Sequence, residues 1–293
     1  MNLTVTVIEI VAPVFLLAAV GFGWVRMGFE YRTQFVTRLA TTLAVPCLIF
    51  TALIKTEIPG GDLVRFAVAV IGAVLVLSLV VELGLRALGL DRRTYLPPLV
   101  FGNTGNLGLP LCIFAFGETG LGYAIVFFSV SALWSFSYGI HVVAGRGSLA
   151  KVVREPMVWS TLLGALFLWQ GWQTPRFLPN AMELIGQMAV PLMLITLGVA
   201  IARLSTHKVS RAVILSLVKL ALCFALGWAV ALGMGLEGVA FGVLVVQMCT
   251  PVAVTSYVLA ERFEADADTV AGMVMVSTLI SVAALPLVLA LVL

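Results

Sequence analysis

Ten apolar runs, each long enough for a helix to cross a hydrocarbon core of about 30 Å, take up nearly all of this chain of 293 residues. They cover residues 4–25, 35–54, 63–88, 96–116, 121–143, 157–173, 182–202, 212–232, 238–260 and 269–292, with short polar breaks between them. Each run is apolar on every side instead of alternating, which excludes β-barrel strands. Charged residues make up only 11% of the chain, against about 25% in a soluble domain. The prediction is an all-α integral membrane protein with ten transmembrane helices, called spans 1–10.

The basic residues orient it. Arg26, Arg32 and Arg38 lie between spans 1 and 2, and Arg86, Arg92 and Arg93 between spans 3 and 4. Arg146, Lys151 and Arg154 follow span 5, Arg203, Lys208 and Arg211 follow span 7, and Arg262 follows span 9. These are thirteen of the 17 Lys and Arg residues. The opposite face carries Lys55, Arg65 and Arg176, while Lys219 falls inside span 8. The positive-inside rule then puts the thirteen in the cytoplasm and both termini on the extracytoplasmic side of the cell (inner) membrane. No basic residue precedes the first apolar run, so span 1 reads as a retained helix and not a cleaved signal. The net charge of +3 reports this topology; no basic patch interleaved with exposed aromatics points to nucleic acid.

The halves of the chain repeat. "LAVPCLIFTAL" (43–53) matches "MAVPLMLITLG" (188–198), aligning Pro46 with Pro191 and Thr51 with Thr196 at an offset of 145. The same offset pairs Ala115 with Ala260, and one residue more pairs Glu118 with Glu264 and Ser131 with Ser277. Five helices per half is an odd number, so the second copy enters from the opposite side. The predicted architecture is therefore two inverted five-helix repeats, 1–145 and 146–293, a plan that secondary transporters use with the substrate near the bilayer midplane.

Spans 4 and 9 carry the disruptive residues. In "FGNTGNLGLPL" (101–111), Pro110 removes a hydrogen bond to the carbonyl of Asn106, and Gly102, Gly105 and Gly108 relax the backbone. In "QMCTPVAVTSYV" (247–258), Pro251 lies near mid-span. Broken backbone at membrane depth is tolerated only against protein or a watery cavity, so the two breaks are expected to meet and form a site. Freed N–H groups at the half-helix starts favour an anion. Asn103, Thr104, Asn106, Gln247, Thr250, Thr255 and Ser256 add neutral hydrogen-bonding groups. A kinked helix whose glycines only serve packing is the blander reading.

At these residues the chain resembles the auxin efflux carrier family, through "GNTGNLGLPL", "AVPLMLITLGVAI" and the segment from Pro251 to Leu287. The resemblance implies a bile-acid/sodium symporter-like fold. Spans 1, 2, 6 and 7 would form a scaffold, spans 3–5 and 8–10 a transport domain that moves as an elevator, commonly in a homodimer. It also implies that Asn103 contacts a substrate carboxylate, that Pro110 is a crossover proline and that Val45 faces the substrate. The chain departs from the plant members at Ser256, where they have proline, and at "REPM" (154–157), where Met157 replaces a polar residue. "FAVAVIGAVLVLSLVV" (66–81) in span 3 also lacks their polar residues, and their large central loop is missing, so a bacterial organic-anion carrier fits better than an auxin carrier.

The remaining polar residues offer no catalytic constellation. The four cysteines stand singly inside spans and His141 and His207 at span edges, so neither metal nor cofactor is called for. An intramembrane enzyme would need a nucleophile–base pair, and none is present. No carboxylate falls mid-membrane in spans 4 or 9, which counts against a proton or sodium antiporter. Glu82 and Lys219, both about two turns from the cytoplasmic face, are expected either to pair or to snorkel to the interface; Glu9 reads as interfacial, and "ERFEADAD" (261–268) as a solvated turn, with a gating role as the alternative. The function read from the sequence is a secondary carrier exporting a small carboxylate, with a sodium-coupled organic-anion importer as the alternative and a receptor or structural bundle behind both.

Overall fold

The structure is a computed structural model that describes residues 3–144, 155–172, 174–175, 177–203 and 209–293. Arg146, Lys151, Arg154, Arg176, His207 and Lys208 lie outside the described residues. The helices are α1 Leu3–Arg26, α2 Thr33–Leu39, α3 Val45–Lys55, α4 Gly60–Ala87, α5 Arg92–Val100, α6 Leu109–Trp134 and α7 Ile140–Ala144. They continue as α8 Pro156–Gln170, α9 Phe177–Gly186, α10 Ala189–Arg203, α11 Val209–Gly233, α12 Gly238–Met248, α13 Val254–Arg262 and α14 Ala267–Val292. Three wide, π-helical turns join neighbours at Ala40–Ala44, Thr104–Gly108 and Ser135–Gly139. Among the described residues there is no β-strand, only one isolated antiparallel bridge between Gly102 and Val252.

Among the described residues, seven continuous helical stretches are long and apolar enough to cross a membrane, against ten expected spans. The difference has local causes. The regions of spans 4 and 9 are each split into short helices, and α8 has only 15 residues. The stretch Thr104–Ala144 counts once by length, yet its chain reverses at Gly117, whose φ of 64° leaves the helical region. Beyond that reversal Gly120 lies against the carbonyl of Cys112, which a straight helix would hold about 12 Å away. Only a residue without a Cβ turns this way at little cost.

α4 shows how such helices are stabilised. Val64, Val68, Ile71, Leu75, Leu79 and Leu83 form an exposed stripe at helical spacing, while Phe66, Val70, Ala73, Leu77 and Val81 are buried. Lipid tails are as apolar as leucine, so the buried stripe is held by close packing more than by escape from water. The tightest packing is between α1 and α10. There Gly21 lies on the carbonyl of Ile195 and Gly198 on the carbonyl of Ala18, leaving no room for a Cβ on either.

The helices pack as two groups. α1 packs on α10, and α3 on α8 and α9, with α2 and the turn Ala40–Ala44 linking them into one group; α4, α5, α6, α11, α12, α13 and α14 contact mainly one another, and α1, α3, α8 and α10 also touch this second group. At the basic-loop end of the second group Asp91 caps α5, accepting from the backbone N–H of Arg93 and Thr94, and Asp266 caps α14 through Thr269. Arg93 ties these ends together by donating to the carbonyls of Val143 and Phe263.

The expected Glu82–Lys219 pair does not form. Glu82 instead accepts from Arg86 at 2.6 Å and from Arg92 at 2.7 Å. Arg86 is one turn along the same helix and Arg92 begins the next, so both guanidinium groups reach Glu82 without burial, whereas Lys219 points into the protein.

Candidate functional site

α5 stops at Val100 and α12 at Met248, and the extended residues that follow cross each other. The Asn103 N–H donates to the Pro251 carbonyl at 2.7 Å, and the Ala253 N–H to the Phe101 carbonyl at 3.1 Å. These two bonds are related by an approximate two-fold axis that passes between Gly102 and Val252. The Val252 N–H donates to Ser277 Oγ at 3.0 Å. Backbone groups freed by both breaks thus satisfy one another, as they must away from water. The Thr250 side chain packs where a Cβ on Gly102 would sit, and the Gln247 amide where a Cβ on Gly108 would sit. Glycine at both positions is what permits the crossing.

Helix resumes at Thr104 on one strand and at Val254 on the other. The Leu107 and Gly108 N–H groups already bond to the Asn103 carbonyl, so those of Thr104, Gly105 and Asn106 have no intrahelical acceptor. The Val254 and Thr255 N–H groups at the start of α13 are in the same position, while that of Ser256 bonds to the Ala253 carbonyl. Both half-helix starts border a cavity of about 160 Å³. Phe101, Gly102, Asn103, Thr104, Gly105, Asn106, Ala253 and Thr255 build its crossover wall. Val45, Phe128, Phe136, Met157 and Met193 supply an apolar wall, and Thr37, Thr41, Ser131, Ser135 and Thr196 add hydroxyls. No side chain in this lining is charged.

Asn103 is the unusual member. Its side chain is buried, and Nδ2 has no hydrogen-bond partner. An unmet buried donor costs roughly 1–3 kcal/mol, and this one belongs to a residue that lines the cavity. Thr196, in the opposite wall, bonds to the Tyr31 hydroxyl at 2.7 Å. Arg203 holds that loop by donating to the Tyr31 carbonyl and to Thr33 Oγ1.

Seven residues singled out from the sequence line this cavity: Val45, Gly102, Asn103, Thr104, Gly105, Asn106 and Thr255. Gln247 lies behind the crossover, fully buried, with neither amide atom hydrogen-bonded, against a small void shared with Gly102, Thr104 and Ser131. Ser256 is buried outside the lining, its N–H bonded to the Ala253 carbonyl. Pro251 contributes its carbonyl to the crossing.

The break expected at Asn106–Pro110 falls earlier, at Phe101–Asn103, and Pro110 occupies the first turn of α6. A proline there lacks only an N–H that the wide turn Thr104–Gly108 leaves unused. Pro46 and Pro191 likewise begin α3 and α10 and take no part in the crossing. Thr37, Thr41, Ser135, Phe128 and Phe136 were not singled out from sequence. The hydroxyl residues of an otherwise apolar span were the available signal for the first three.

Known proteins place the chain. The model of a family described as membrane transport protein matches residues 6–154 and 146–289, almost the whole length. The chain belongs to that family. It is the auxin efflux carrier family that the helix-break motifs resembled, and a family of transporters, not enzymes. An uncharacterized transporter of Methanothermobacter thermautotrophicus is 29% identical over 292 residues, covering 95% of this chain and 96% of that protein. An uncharacterized transporter of Methanocaldococcus jannaschii is 25% identical over 193 residues, 62% of each chain. The protein is a multi-pass membrane transporter.

Proposed function

We propose that this transporter carries small organic anions with a carboxylate group, bound at the crossover, and that it works as an elevator. The observation that carries the reading is a cavity that faces two half-helix N-termini and is lined by Asn103, whose buried Nδ2 has no hydrogen-bond partner among the described residues. N–H donors and the positive ends of helix dipoles favour a carboxylate without requiring a basic side chain. Phe128, Phe136, Met157 and Met193 then cover the apolar remainder of the substrate, which disfavours inorganic anions. The volume of about 160 Å³ is close to that of an engineered cavity of about 150 Å³ that takes benzene, so the substrate is of similar size.

The division into two packing groups supports the mechanism. The group holding the crossover acts as the moving transport domain, and α1–α3 with α8–α10 as the scaffold. The two halves of the chain, each with one broken helix, act as inverted repeats. The cavity lining extends from the crossover toward Thr37, one residue from Arg38, so with the basic loops in the cytoplasm this is an inward-facing state. An inside-negative membrane potential drives an anion outward, which makes export the downhill direction. Proteoliposomes loaded with radiolabelled small mono- and dicarboxylates test this. Export that saturates and accelerates with an inside-negative potential is the expected result. Uptake or release of none of them, with the protein folded and correctly inserted, would refute the anion reading.

A further inference from the structure

Behind the crossover, on the side away from the cavity, the ammonium group of Lys219 on α11 is buried with the side chain only 3% exposed. Among the described residues it forms no salt bridge. Its Nζ donates to the Thr250 carbonyl at 3.0 Å and contacts Cys223 Sγ at 3.9 Å. A small void beside it is bordered by Ser216, Thr250, Pro251, Ser277 and Ser281. Ser216 Oγ is buried there without a hydrogen-bond partner. Ser277 Oγ accepts from the Val252 N–H of the unwound segment.

An uncompensated charge in a protein interior is normally strongly disfavoured, so its surroundings must favour a cation. They do. Thr250 follows the C-terminal end of α12, where the last carbonyls carry the negative end of the helix dipole. The unwound Thr250 carbonyl accepts from Nζ, and the hydroxyls of Ser216, Ser277 and Ser281 border the void beside it. Unwound carbonyls and half-helix C-termini are the groups by which transporters hold a coupling sodium ion. Here a covalently attached ammonium group occupies that environment.

We propose that Lys219 is a built-in cation standing in a monovalent-cation site, and that the protein therefore transports without a coupling sodium ion. Removing the side chain beyond Cβ opens the site to a free alkali-metal ion. The consequence for transport rests on the carrier reading above; the site itself does not, and its test uses no substrate.

The test is thermal unfolding of the purified protein, followed by tryptophan fluorescence, in choline chloride against sodium, potassium and lithium chloride at equal ionic strength. Wild type is expected to unfold at the same midpoint in all four salts. Lys219→Ala is expected to unfold earlier in choline and to regain most of that loss, saturably, in at least one alkali-metal salt. Lys219→Met fills the space without charge and is expected to show no such recovery. A Lys219→Ala midpoint that is the same in every salt overturns the proposal, as does selective stabilisation of wild type by sodium. If neither variant folds, sodium binding to wild type decides: measurable specific binding overturns the proposal and its absence upholds it. Failure of the carboxylate flux experiment leaves all these outcomes intact.

Discussion

Replacing Asn103 by leucine separates what the residue does for a ligand from what it does for the fold. The side chains are similar in size, and the backbone at Asn103 (φ −78°, ψ 54°) is open to leucine. Nδ2 has no partner among the described residues, so the substitution breaks no hydrogen bond from that atom and removes a buried unmet donor worth roughly 1–3 kcal/mol. The ligand-free protein should therefore unfold at an equal or higher midpoint. A bound carboxylate, by contrast, loses a hydrogen bond to a charged group, about 1.5–3 kcal/mol, which corresponds to an affinity loss of about 10- to 150-fold. Ligand titrations by thermal shift, wild type beside Asn103→Leu, read both quantities in one experiment. A variant that binds as tightly as wild type would refute the role of Nδ2. A variant whose ligand-free midpoint drops would refute the argument that this amide is held in reserve for a ligand.

Other substitutions probe the crossing and its supports. Gly108→Ala places a Cβ on the Gln247 amide and should destabilise by about 1–3 kcal/mol as overpacking does; adding Gln247→Ala should restore much of that loss in denaturation assays. Asp91→Ala removes the cap of α5, costing about 1 kcal/mol of stability above the carboxylate range. Burial alone would raise the Asp91 carboxyl, but the Thr94 hydroxyl, the Arg93 and Thr94 N–H groups and the Arg93 charge outweigh it and hold it below its usual value. A depressed folded-state value means the cap's contribution is present above the unfolded value and fades as pH falls through the folded one. The difference between wild type and Asp91→Ala should therefore shrink on acidification, and a constant difference down to acid pH would contradict the assignment. Reversing both charges at Glu82 and Lys219 should rescue neither single reversal in flux, since Glu82 serves Arg86 and Arg92.

The membrane character and the meeting of two broken helices were legible because they depend on composition and on glycine and proline, which act locally. The break near Pro251 was placed correctly for that reason. The break in the first half was displaced toward Pro110 because Phe101–Asn103 contains no proline. Its extended shape comes from pairing with Pro251–Ala253, about 150 residues away in sequence, and periodicity does not report such pairing. The same limit applied to Lys219. Its span position pointed to the nearest carboxylate by depth, but the side chain faces the crossover and not α4, and rotation about a helix axis apolar on every side leaves no trace in sequence. Asn103 was recovered because an asparagine in an apolar span stands out; the aromatic wall of Phe128 and Phe136 was not, because phenylalanine in a membrane helix does not.

The bonds that hold the crossing run between Phe101–Asn103, Pro251–Ala253, Ser277 and Lys219, all on the same side of the division between the two packing groups. In the proposed elevator, the polar groups of the crossover would therefore travel with a ligand as one rigid carriage and would not be exchanged on the way across. The crossover's own contribution to affinity would then be the same at both faces. Any difference between loading and unloading is left to the stationary wall, where Val45, Met157, Met193 and Thr196 meet the ligand at one end of the stroke. Selectivity of binding and asymmetry of transport would thus be written on different helices and could be altered independently.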